Sequence, residues 1–162
     1  MLPPLKYTLC FLLYQDAVLM IHRKKKPWKD HLNGLGGKLE EGETKEESVI
    51  RELKEETGIV VSEDQLIYGG LLTWKLPDEE LGLYLFTAKV SEKDYFKGSK
   101  ETDEGTLEWK KLSEVCDIKN ESVAHNIPYF LPTIIMSQTP LRYHCAFDGE
   151  VLTSVTLSPL ES

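Results

Sequence analysis

A chain of 162 residues can bury one substantial core but is too short for two domains of ordinary size, so residues 1–162 are expected to form a single domain. The formal charge of −8 disfavours attraction of a polyanion such as duplex DNA to the surface at large, while a small anion escorted by a cation remains compatible. No apolar run reaches membrane-spanning length, and the three cysteines, Cys10, Cys116 and Cys145, show neither metal-ligand nor redox spacing.

Taken in order, Lys6 to Tyr14 and Ala17 to Arg23 are rich in β-formers and flank the polar break Gln15-Asp16, predicting a hairpin. The start of the chain lacks a cleavage-site pattern. Together with the unpaired thiols this leads us to expect a cytoplasmic protein. A basic loop follows, Arg23-Lys24-Lys25-Lys26-Pro27-Trp28-Lys29. Lys25, Lys26 and Lys29 read as solvated, whereas Arg23 ends a strand and its planar fork suits phosphate oxygens. His31 to Gly37 is glycine-rich, so backbone groups there can approach a ligand closely.

A helix is predicted next. Thr44 with Glu47 is a capping box, and Gly58 suits the left-handed position past the helix end. Val49, Ile50 and Leu53 form the stripe facing the core. Beyond the helix, Leu66 to Lys75 and Leu81 to Val90 are expected to be strands linked by residues 76–80. Glu101 to Gly105 reads as an acidic loop before a short strand, Thr106 to Lys110. Ile127 to Met136 suggests a helix that Pro132 should kink. Arg142 to Phe147 and Val151 to Leu157 form a hairpin around Asp148-Gly149.

The chemistry concentrates in the first helix. Glu52, Glu55 and Glu56 share one sector, and Glu52 and Glu56 lie one turn apart, where like charges destabilise a helix by roughly 0.2–0.5 kcal/mol per pair. Such a cluster is either a solvated acidic face or a site for Mg²⁺, a hard cation held by carboxylates, waters and substrate phosphates. The surrounding spacing favours the second: Gly37, five residues, Glu43, seven residues, Arg51-Glu52-Leu53, one residue, Glu55-Glu56, one residue, Gly58-Ile59. Chance would supply this pattern in roughly one chain in ten million of ordinary composition.

This is the Nudix box in full, and the chain resembles the Nudix hydrolases. The resemblance implies an α/β fold, an α/β/α sandwich with a mixed central sheet. It also implies a Mg²⁺-dependent enzyme (Mn²⁺ substituting) that cleaves a nucleoside diphosphate joined to another group. Tyr7 to Leu9, the spacing over Leu32 to Glu43, and the terminal hairpin are further similar to the MutT-type branch, in particular the vertebrate oxidised-purine triphosphatases. That likeness implies hydrolysis of 8-oxo-dGTP and related nucleotides to the monophosphate and pyrophosphate. By the same likeness Glu52, Glu55 and Glu56 are metal ligands or base, with a backbone carbonyl at Gly36 or Gly37 and the carboxylate of Glu104 completing the metal shell. Glu55 and Glu104 are both candidates for general base. Thr8 and Asn33 line the base pocket.

Arg51 reads as an orienting partner for a nearby glutamate, Glu43 as a pin on the loop, and Lys38 as either a phosphate ligand or a solvated side chain. Trp28, Leu72, Trp74 and Phe130 could wall the base or belong to the core. The vertebrate branch carries two adjacent aspartates and a tryptophan before the last helix. Here Asn120 to Asn126 lacks them, leaving Asn126 as a substitute base-reading amide. The expected partner is a small nucleotide, with no nucleic-acid polymer or membrane involved, and the protein is expected to be a monomer or homodimer. Two alternatives stand beside this reading. One is another Nudix substrate, such as an ordinary dNTP, ADP-ribose or a dinucleoside polyphosphate. The other is a non-catalytic Nudix-fold module, which typically loses box glutamates that this chain retains.

Overall fold

The computed structural model describes residues 3–24, 31–124, 126–137, 139–149 and 151–160. The basic-loop residues Lys25, Lys26, Trp28 and Lys29 lie outside them. Nine strands form one mixed sheet in the order β6-β7-β2-β1-β5-β4-β8-β9, with β3 beside β2. They are β1 (Leu5–Tyr14), β2 (Ala17–Arg23), β3 (Leu32–Asn33), β4 (Leu66–Lys75), β5 (Glu80–Lys89), β6 (Ser99–Glu101), β7 (Gly105–Lys111), β8 (Leu141–Asp148) and β9 (Val151–Pro159). The β1–β5 and β4–β8 pairs are parallel and the remaining pairs antiparallel.

Helices cover both faces, as an α/β/α sandwich requires. Helix α1 (Lys45–Thr57) packs Val49 and Leu53 on Cys10, Leu12 and Phe86. On the other face α3 (Ile127–Met136) packs Phe130 and Ile134 with Phe11, Leu85 and Tyr143, while α2 (Leu112–Val115) is a single turn after β7. Strand β1 is buried on both sides, which is why its sequence reads as an unbroken apolar run.

Helix α3 spans Ile127–Met136, the range expected from the sequence, and runs through Pro132. An interior proline costs about 3 kcal/mol, but Ile127, Phe130, Leu131 and Ile134 are all buried, and each contributes about 1.5–3 kcal/mol. The β1–β2 hairpin does depart from the sequence expectation: it is short, its pairing limited to Leu13↔Val18 and Tyr14↔Ala17. On its other edge β2 pairs with β7 throughout, from Ala17↔Lys111 to Arg23↔Gly105. Beyond the hairpin β3 lies beside β2 through Ile21↔Asn33 and His22↔Leu32, and the glycine loop lies beside β1 through bridges Cys10↔Leu35 and Tyr7↔Lys38. This divergence opens the sheet where α1 brings its carboxylates.

Candidate active site

Helix α1 is fixed at both ends. The Thr44 hydroxyl accepts the Glu47 N–H at 3.1 Å and the Glu47 carboxylate accepts the Thr44 N–H at 3.0 Å. At the other end Gly58, at φ 78°, donates its N–H to the Lys54 carbonyl. Its side toward the glycine loop carries a hub of charge. Arg51 grips Glu43 with two parallel bonds of 2.6 and 3.0 Å, and reaches Glu52 at 2.9 Å and Glu55 at 3.3 Å. It also donates to the Lys38 carbonyl at 3.1 Å, so one guanidinium joins the helix to the loop. This pairing holds the Glu43 carboxyl below its usual range.

The loop lies against the acids. Thr8 donates its N–H to the Gly37 carbonyl at 2.9 Å, and its buried hydroxyl points to the same oxygen at 3.5 Å. A Cβ on Gly36 would collide with the Thr8 carbonyl, and one on Gly37 would come within 2.5 Å of the Glu52 carboxyl carbon. Glycine is required at position 36 by the Thr8 backbone, and at position 37 it leaves room for the Glu52 carboxylate. Glu56 accepts the Gly36 N–H at 3.0 Å. Burial, then the neighbouring Glu104 carboxylate, pushes the Glu56 carboxyl up to about 8. Burial also raises the Glu52 carboxyl, against the pull of Arg51.

Glu104 arrives from outside the helix, in the turn before β7, where its carbonyl accepts the Lys24 N–H at 3.1 Å. Arg23 ends β2 opposite Gly105, next to Glu104, and its N–H bonds to the His31 carbonyl. The structure therefore brings together Gly36, Gly37, Arg51, Glu52, Glu55, Glu56 and Glu104, with Arg23 at their edge and Lys38 exposed on the loop. Among the described residues the acids do not already stand as a closed cage of three. Arg51 draws Glu52 and Glu55, while Gly36 holds Glu56 beside Glu104. Even so, the donor set fits a hard divalent cation. Glu56 accepts a neutral N–H from the loop side and faces another carboxylate, an arrangement short of positive charge.

The base-recognition residues are dispersed. The Asn33 side-chain oxygen accepts the Gly34 N–H at 2.8 Å, capping its own turn. Asn126 precedes α3 and lies beside Cys145, in the core on the α3 side. Leu72 and Phe130 are buried core residues, and Trp74 packs at the margin of that core. A surface hollow of about 250 Å³ lined by Ile118, Tyr129 and Val151 shares no residue with the acidic cluster. Thr102 escaped the sequence reading: its hydroxyl organises the turn carrying Glu104, and a threonine three residues before a glycine was the available signal.

Fold and site together define a Nudix hydrolase. The NUDIX domain model matches residues 4–133, and the chain belongs to that family. It is 32% identical to the uncharacterized Nudix hydrolase YvcI of Bacillus subtilis, across 95% of this chain and 94% of that protein. It is likewise 32% identical to the oxidized purine nucleoside triphosphate hydrolase of Mus musculus, across 96% of each. Among solved structures, the MutT protein of Bacillus halodurans superposes with a TM-score of 0.75 at 28% identity, covering 96% of this chain and 98% of that one.

Proposed function

We propose that residues 1–162 form a single catalytic unit that hydrolyses nucleoside triphosphates to the monophosphate and pyrophosphate with Mg²⁺, oxidised purine nucleotides such as 8-oxo-dGTP being preferred. The observation that carries the hydrolytic site is the Glu56 carboxyl, held by the Gly36 N–H and facing Glu104. The substrate preference is supported by the likeness to the mouse enzyme over nearly the whole chain.

Glu52, Glu56 and Glu104, with a carbonyl at Gly36 or Gly37, would hold the cation. When bound, it would offset phosphate charge and acidify an attacking water. The chain's own residues do the rest. Arg23 binds phosphate oxygens at the edge of the cluster. Glu55 accepts the water's proton: it is exposed, and Arg51 orients it from 3.3 Å. Glu104 neighbours the Glu56 carboxyl, which suits it to the cation side instead. Arg51 acts through the glutamates it grips.

The engagement of Asn33 by Gly34, with Thr8 set against Gly37 and Asn126 at the start of α3, favours a second reading, in which another Nudix substrate is preferred. A substrate panel separates the two. The proposal expects kcat/KM for 8-oxo-dGTP to exceed that for dGTP, ADP-ribose and diadenosine tetraphosphate by at least about tenfold. A preference for either of the last two would overturn it. Product analysis in ¹⁸O-water then identifies the phosphorus attacked.

A further inference from the structure

The turn that delivers Glu104 is more heavily framed than its exposed position requires. The Thr102 hydroxyl donates to the Gly105 carbonyl at 2.8 Å and accepts the N–H groups of Glu104 and Gly105, each at 3.2 Å. The Thr102 N–H closes the same turn on the Gly105 carbonyl at 2.8 Å. From the neighbouring strand end, the Lys24 ammonium reaches the Thr102 carbonyl at 3.0 Å and the Glu101 carboxylate at 3.2 Å. The other Glu101 oxygen accepts the Thr106 hydroxyl at 2.6 Å. A Cβ on Gly105 would collide with the His22 carbonyl, so the turn is pressed against β2 with no slack.

We propose that Thr102 is a positioning residue for Glu104: its hydroxyl fixes the 102–105 turn so that the Glu104 carboxylate is held toward Glu56, and Lys24 clamps that turn to the end of β2. The inference rests on the reading of Glu104 as part of the cation site. An exposed glutamate on a free turn would swing away from another carboxylate, because like charges repel and solvent is at hand. A turn locked on both sides of Glu104 removes that escape. Glu104 then meets the cation without a further ordering cost, as supporting partners of metal ligands commonly ensure.

The test is Mn²⁺ binding to the intact protein without substrate, read as free Mn²⁺ by electron paramagnetic resonance, with melting temperature and kcat in parallel. Thr102→Val keeps the shape and removes the hydroxyl. It is expected to weaken Mn²⁺ binding and lower kcat by about tenfold, with little change in nucleotide KM or melting temperature. Thr102→Ser should restore both to within about twofold. In a Glu104→Gln background Thr102→Val should add nothing, since residues acting as one unit are non-additive. Wild-type Mn²⁺ affinity in Thr102→Val, an equal defect in Thr102→Ser, or additive losses in the double variant would overturn the positioning role alone. Wild-type affinity in Glu104→Gln would instead overturn the reading of Glu104 beneath it. If Thr102→Val does not fold, Lys24→Met carries the test, with about threefold weaker Mn²⁺ binding expected and unchanged binding counting against the proposal.

Discussion

Glu56 is the residue at which stability and chemistry oppose each other most directly. Its folded-state carboxyl sits at about 8, while an unfolded chain releases that proton near 4.5. Between those values the native state holds a proton that the unfolded state has lost, so stability falls as pH rises and the penalty is complete above 8. Glu56→Gln removes it. In the metal-free protein at pH 8 that variant should be more stable than the parent by on the order of 1–3 kcal/mol, read by thermal melting in a chelator. The two proteins should converge below about pH 4.5, and the variant should have lost its hydrolytic activity. Equal melting temperatures at pH 8 would mean that Glu56 is not strained by its surroundings.

At the scale of elements, the decisive feature is the glycine loop lying where a longer β2 hairpin would have been. Gly36 and Gly37 meet different neighbours there, and their alanine variants should fail differently. Gly36→Ala drives a methyl into the Thr8 backbone, which cannot yield without moving β1, so a loss of several kcal/mol is expected, on the order of 3–5. Gly37→Ala meets only the end of the Glu52 side chain, which can swing aside. It should melt within a few degrees of the parent yet bind Mn²⁺ and turn over substrate at least about tenfold less well. Similar melting losses in both would contradict this division. Helix α1 was legible in the sequence because its capping box, apolar stripe and terminal glycine are all local signals. The parting of β1 from β2 was not, since it depends on Leu35 and Lys38 competing for the edge of β1. Strand β6 was missed for a related reason: Ser99-Lys100-Glu101 is short, exposed and polar, and only its pairing with β7 makes it a strand. The acids of the site were readable as a cluster, but their sorting between Arg51 and Glu104 needed the fold.

For the molecule as a whole, the acids are a standing electrostatic cost that a bound cation would relieve. A protein of formal charge −8 that gathers Glu52, Glu55, Glu56 and Glu104 at one opening of its sheet should respond to Mg²⁺ through its global stability, because only the folded chain assembles the site. A hundredfold excess over the dissociation constant contributes about 2.7 kcal/mol, which for a chain of this size raises the melting temperature by roughly 5–10 °C. Protons compete with the cation for Glu56, whose carboxyl is largely protonated well below 8. The Mg²⁺ gain should therefore be larger at pH 8 than at pH 6, opposite to the trend of the metal-free protein. Replacing Glu52 and Glu56 together by Gln should abolish the gain at both values. A shift of equal size in that double variant would assign the response to general charge screening, and a parent protein indifferent to Mg²⁺ would remove the cation from the site.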